Sequence, residues 1–190
     1  MKLFAITPDN ATIDELTARL PELQNRGAAF LYLRQAASSR KIRTLIDAAA
    51  VAGIVPIVPY KIYSVDMPGS CGVHYKSSEI SLLARRLPAK PRVITASSHS
   101  SVDAQRALLA GAHYTYVSPV FAPLSKPGDK RELFPRDELR KLAAVHGERI
   151  AFLGGMTWQR IEQLREDCTG DFSVAGITLF FMSAAGESLS

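Results

Sequence analysis

Short apolar runs alternate along this chain with longer stretches in which apolar residues return every three or four positions. The first pattern predicts buried strands and the second amphipathic helices. Phe4–Ile6 is the first strand. Thr12 and Glu15 have the spacing of a capping box, opening a helix with Ile13, Leu16, Leu20 and Leu23 on one face. Pro21 lies inside that helix and is expected to kink or divide it. Gly27 ends it, and Phe30–Leu33 is the second strand. Ser39 caps a second helix carrying Ile42, Leu45, Ile46 and Ala49, which ends at Gly53. Ile54–Val58 is the third strand, and Tyr60–Gly69 reads as a weak or short helix.

Cys71–His74 is a fourth, short strand, and Ser78 caps a helix over Ile80–Leu87. Arg92–Ala96 is the fifth strand; the segment Ser100–Asp103 opens the helix that ends at Gly111. Tyr114–Val117 is the sixth. A long loop follows from Ser118 to about Phe134, with Pro119, Pro123 and Pro127 in it and Pro135 just beyond. Asp137–Val145 is a helix ended by Gly147. Arg149–Phe152 is the seventh strand, and Trp158, Ile161 and Leu164 mark the helix after it. Phe172–Ile177 is the eighth strand, and Leu179–Met182 is a stub of helix.

Eight strand–helix units predict an α/β protein, a (β/α)8 TIM barrel with a shortened C-terminal helix. A doubly wound open sheet is the alternative, but it lacks the early Gly-x-Gly-x-x-Gly and seldom needs eight units. With 190 residues the chain suffices for one domain with a real core and is short for two, so residues 1–190 are expected to form a single barrel domain.

The barrel changes the meaning of Leu153-Gly154-Gly155-Met156-Thr157. Two glycines between a strand and a helix make a tight turn, or a cradle of free N–H groups for an anion. In a barrel, phosphate often binds after strands seven and eight, which favours the cradle. Other positions at the strand ends are Arg34, Lys61, His74, Lys76, Ser97, His99, Ser125, Lys126, Lys130 and Arg131. Cations and hydroxyls on one face suit an anionic, phosphorylated ligand. For Lys76, Lys130 or Arg131 taken singly, a solvated loop residue is the simpler reading. Arg34 ends an apolar strand and is expected to point into the mouth. His74 and His99 can act as acid or base near neutral pH, or can be packed residues bonded to backbone. Glu79 is the one carboxylate placed near a bound cation, with helix capping as its other role.

The net charge of +5 comes without a basic run or an RNA-binding motif, so small anions are expected rather than nucleic acid. Cys71 and Cys168 have no metal-type neighbours and point to a reducing compartment. The apolar start breaks at Thr7-Pro8, too soon for a signal peptide or a membrane span. The expectation is a cytoplasmic protein with no membrane partner. The shortened last helix would leave an apolar patch that a homodimer could cover.

Five motifs in register carry a resemblance. They are Leu31-Tyr32-Leu33-Arg34, Cys71-Gly72-Val73-His74, Ser97-Ser98-His99-Ser100, Tyr116 through Pro127, and Leu153-Gly154-Gly155-Met156-Thr157. Together they resemble the thiamin phosphate synthase/TenI superfamily over nearly the whole chain. The resemblance implies a (β/α)8 barrel that binds the phosphorylated thiazole half of thiamin. The synthases join it to hydroxymethylpyrimidine pyrophosphate with Mg²⁺ and release pyrophosphate through a pyrimidine cation. Arg34 matches the family's pyrophosphate Arg, but its usual Gln and Lys neighbours are Tyr32 and Ala36. Ser97 and Lys126 match; Ser125 replaces a Thr, and an earlier loop Thr is Pro123. Gly155 matches the thiazole-phosphate glycine. Gly176, Ile177 and Thr178 are nearest to the family's strand-eight Ser.

The metal end departs further. Pro59-Tyr60 stand where the family has Asn-Asp, and Glu79 replaces a second Mg²⁺ Asp. Mg²⁺ is therefore weakly implied. The TenI tautomerase branch has a His where Pro119 stands, so the resemblance does not extend to that activity. The resemblance thus implies Arg34, Ser97 and Lys126 as catalytic. It implies Tyr32, Lys61, His74, His99, Ser125, Gly154, Gly155, Gly176 and Ile177 around the substrate.

Overall fold

The apolar runs pair side by side, each carried back to the same end of the sheet by the helix after it. A computed structural model of the chain describes residues 1–35, 40–122 and 131–181. Its strands are β1 (Leu3–Ile6), β2 (Phe30–Tyr32), β3 (Val55–Pro59), β4 (Gly72–Tyr75), β5 (Ile94–Ser98), β6 (Tyr114–Val117), β7 (Ile150–Leu153) and β8 (Ser173–Gly176). The helices are α1 (Ile13–Asn25), α2 (Arg40–Val51), α3 (Ser101–Leu109), α4 (Arg136–His146), α5 (Trp158–Asp167) and α6 (Thr178–Phe181). All strands are parallel and follow sequence order around a closed barrel. Phe4 of β1 sits opposite both Phe30 of β2 and Ala175 of β8, so the sheet has no edge and the open alternative is excluded. This is the (β/α)8 barrel.

Strand alternation sorts the side chains into two cores. Phe4, Ile6, Tyr32, Ile57, Tyr116, Ala151 and Ala175 point inward and pack together. The other set, including Leu31, Leu33, Val58, Val73, Phe152 and Val174, packs outward against the helices. Aromatic rings fill much of the interior. Phe4 stacks on Phe30 at 4.3 Å and meets Tyr114 and Tyr116 edge-on at 5.0 and 5.3 Å. Such pairs contribute about 0.5–1.5 kcal/mol each beyond area burial.

Local departures have local causes. Helix α1 runs unbroken through Pro21. Leu16, Leu20 and Leu23 are buried on both sides of the proline, and their packing holds the helix together at the cost of one backbone bond. The expected helix over 60–69 shrinks to a 3₁₀ turn at Tyr60–Ile62, and that over 80–87 to a 3₁₀ turn at Ser77–Leu82. Strand β5 begins two residues later than expected, because the Arg92 N–H is taken by Cys71 in a loop contact. Ser97 is therefore a strand residue and not a loop residue. Ser39, expected as the cap of α2, and Met182 lie outside the described residues. No helix among the described residues is long and apolar enough to cross a membrane. Cys71 and Cys168 are both buried and free.

Candidate functional site

At the C-terminal ends of the strands the inward positions change from apolar to polar. There a cavity of about 340 Å³ opens. Loops after β1, β2, β4, β6, β7 and β8 and the end of β5 contribute to its wall.

His74 forms one side of it. The residue is 2% exposed, and its ring lies between Tyr32 (4.2 Å) and Tyr116 (5.0 Å). Its Nδ1 is 2.8 Å from Thr95 Oγ1 and its Nε2 is 2.9 Å from Ser97 Oγ. The three residues meet because β4 and β5 pair with His74 opposite Thr95, and Ser97 is the next inward position. Burial, and then the charge of Lys76, pushes the imidazole down to about 3. A ring held neutral across the physiological range brings no imidazolium charge to a ligand there.

The same shift has a consequence for stability. The ordinary value is 6.5, so between 6.5 and about 3 the unfolded chain takes up a proton that the folded chain refuses. Stability contributed at this residue is complete above 6.5 and falls as the pH is lowered toward 3. Urea midpoints of the parent should drop more between about pH 7 and about pH 5 than those of His74→Gln. Equal drops would show that His74 titrates normally in the fold.

His99 is held differently. Its Nδ1 lies 2.9 Å from the Ser118 carbonyl, so Nδ1 carries the proton and Nε2 is left as an acceptor in the neutral ring. Arg34 enters from the opposite wall. Its backbone N–H donates to Thr7 Oγ1 at 3.0 Å, which fixes the residue after β2. Its Nη2 pairs with Asp9, whose Oδ1 also accepts from Gln35 Nε2 at 2.9 Å. The buried Arg34 Nε has no hydrogen-bond partner among the described residues. One edge of the fork is thus braced.

Across the mouth, Gly154 and Gly155 turn the chain with φ of +105° and +57°. A Cβ on Gly155 would lie 2.3 Å from the Ala122 carbonyl oxygen and 3.0 Å from Phe121 Cβ. The glycine is therefore required by the loop after β6 packing on the loop after β7. That is a different reason from the close approach of an anion. The Arg160 guanidinium donates to the Gly155 carbonyl and lies over the Phe121 ring at 4.8 Å, locking the same junction. With the carbonyls turned outward, the amides of Gly155, Ile177 and Thr178 donate to no protein acceptor in the turns and caps of the described residues. All three residues line the cavity.

Of the expected site residues, Tyr32, Arg34, His74, Ser97, His99, Gly154, Gly155, Gly176 and Ile177 all line this cavity, with Lys76 and Arg131. Lys61 and Glu79 do not line it. Lys61 is exposed on the 3₁₀ turn after β3, and its neighbour Tyr60 stacks on outward-facing Tyr75 at 4.6 Å. Glu79 is 8% exposed, and its carboxylate accepts the Lys76 N–H at 2.9 Å. It acts as the cap of its turn. Ser125, Lys126 and Lys130 lie outside the described residues. Sequence reading missed Asp9, Gln35, Tyr116 and Ser118 as wall residues. Asp9 stands just past the end of β1, so strand-end counting begun at the first strand would have found it.

Magnesium is held by one or two carboxylates together with substrate phosphates and water. Among the described residues Asp9 is the carboxylate that lines the cavity, with Arg34 and Gln35 both on its Oδ1, while Glu79 lies outside the lining. Among the described residues no three His, Cys, Asp or Glu groups converge as a metal site.

Comparison with known proteins bears on this geometry. The family model described as thiamine monophosphate synthase matches residues 3–179. A thiamine-phosphate synthase from Thermosynechococcus vestitus is 28% identical over 187 residues, covering 80% of this chain and 51% of that protein. The chain thus spans about half the length of this curated relative. Among solved structures, the thiamine phosphate pyrophosphorylase from Pyrococcus furiosus superposes with a TM-score of 0.65 at 18% identity, covering 96% of this chain and 88% of that one. That likeness is one of fold.

Proposed function

Because the chain belongs to the thiamine monophosphate synthase family, we propose that its barrel mouth binds a phosphorylated thiazole and hydroxymethylpyrimidine pyrophosphate and joins them. The observation that carries this reading is the pairing within one cavity. The lining includes amides after β7 and β8 with no backbone acceptor in the turns and caps of the described residues, together with Arg34, Lys76, Arg131 and Ser97. The amides suit the thiazole phosphate. The cations suit the pyrophosphate, whose bond to the pyrimidine methylene breaks as the thiazole nitrogen bonds to that carbon. Fixed positive charge in a partly closed site stabilises the departing anion without reorganisation. Lys126, matched to the family through its motif, is proposed to add a cation to this set.

A second reading has its own support. Capture of thiazole phosphate without turnover is favoured by the scarcity of carboxylates in the described wall, where Asp9 stands alone and is paired with Arg34. One assay separates the two. Both precursors are supplied, with Mg²⁺ titrated from chelator to excess, and product is measured beside thiazole-phosphate binding. We expect product formation with weak Mg²⁺ dependence. Turnover at full rate that stops on chelation would show that metal chemistry carries the step. Binding without product selects the second reading.

A further inference from the structure

We propose that His74 is a positioning residue that, with Thr95, directs the Ser97 hydroxyl proton into the cavity, making Ser97 a donor to an anionic oxygen of the ligand. The proposal rests on the reading of the mouth as a site for phosphate and pyrophosphate groups.

The argument assigns each buried proton. Ser97 Oγ and Thr95 Oγ1 flank the two nitrogens of one neutral imidazole, at 2.9 and 2.8 Å. A neutral imidazole donates from one nitrogen and accepts at the other, so the two hydroxyls must have opposite roles. Thr95 decides which. Its proton can go to His74 Nδ1 at 2.8 Å or to the Val73 carbonyl at 3.4 Å. The first distance is normal for a hydroxyl donor and the second is beyond the usual range. With Thr95 donating to Nδ1, the imidazole proton sits on Nε2 and is donated to Ser97. Ser97 then keeps its own proton for the cavity.

The chain runs Thr95 to His74 to Ser97 to ligand, with each proton pointing outward. Chains aligned in this way polarise one another, so the last donor is strengthened. Lys76 and Arg34 line the same cavity. A donor among cations fits an anion, whereas an acceptor-only Ser97 would repel one. Tyr116 stacks on the His74 ring and Tyr32 packs against it at a tilt, which holds both nitrogens at their hydroxyl partners.

The test reads the tautomer directly. Histidine labelled with ¹⁵N in the full chain is observed by long-range ¹H–¹⁵N correlation, first alone and then with inorganic pyrophosphate. The expected result is a proton on Nε2 and none on Nδ1 of His74 in both states. A proton on Nδ1 overturns the proposal. Thr95→Val removes the upstream donor at nearly constant shape. It should weaken pyrophosphate binding about tenfold, with Ser97→Ala alike, the pair together no worse than either, and Thr95→Ser restoring the parent value. Unchanged binding in Thr95→Val also overturns it. If the parent shows the Nε2 proton but no pyrophosphate binding, the functional reading fails and the positioning role stands.

Discussion

Gly155→Val is expected to lose about 3–5 kcal/mol of folding stability and with it all ligand binding. Two effects add. The residue has φ of +57°, a conformation that a β-branched side chain strongly resists. Its Cβ would also stand 2.3 Å from the Ala122 carbonyl oxygen, a backbone atom that cannot swing aside. The Arg160 guanidinium, 2.7 Å from the same point, is the more yielding neighbour. Gly176 is the internal control. It has ordinary φ, and a Cβ there would meet only Leu179 and Met156 side-chain atoms at 3.6 Å or more. Gly176→Ala should fold within about 1 kcal/mol of the parent. Urea denaturation of both variants checks the contrast. A Gly155→Val protein as stable as Gly176→Ala would mean that the loops after β6 and β7 do not pack as described.

Arg34→Ala is expected to weaken pyrophosphate binding by about 10- to 100-fold, the range for losing charge-assisted hydrogen bonds. The guanidinium is anchored at its backbone by Thr7 and at one edge by Asp9, with a buried Nε that has no partner among the described residues. Such bracing reduces the rotamer entropy lost on binding. Arg34→Lys should recover only part of the loss, because an ammonium gives a point charge and not a fork. Asp9→Asn works in the opposite sense. Removing a negative charge beside the anion should tighten binding several-fold at low salt, less so at high salt because the pair is partly exposed. Calorimetric titration with pyrophosphate at two salt concentrations measures all three. Parent-like affinity in Arg34→Ala would remove this residue from the site.

Much of this was legible in residue patterns, and the reasons differ by level. The barrel follows from eight apolar runs separated by capped helices, because period and punctuation survive tertiary context. Most of the wall follows from strand ends, since in this fold chain position fixes location. What was not legible turned on partners distant in sequence. Glu79 is the exception, since its capping role was readable from sequence and its partner, the Lys76 N–H, is three residues away. Pro21 has the chemistry of a helix breaker, but leucines on both sides are buried against the barrel. Gly155 was readable as special, yet the atom that forbids a side chain belongs to the loop after the preceding strand. The neutrality of His74 comes first from burial between rings of β2 and β6, which no local spacing announces, and then from the charge of nearby Lys76.

The aromatic filling of the barrel bears on traffic. Phe4 and Tyr116 have no exposure, while Phe30 and Tyr114 line a separate hollow at the other end of the strands. Among the described residues the ring layer forms a floor beneath the mouth. A ligand there then enters and leaves on the side away from that floor. Of two molecules held there together, the shallower one must depart before the deeper one can. Arrival and departure are then ordered by depth, and an excess of the shallow ligand traps the deep one.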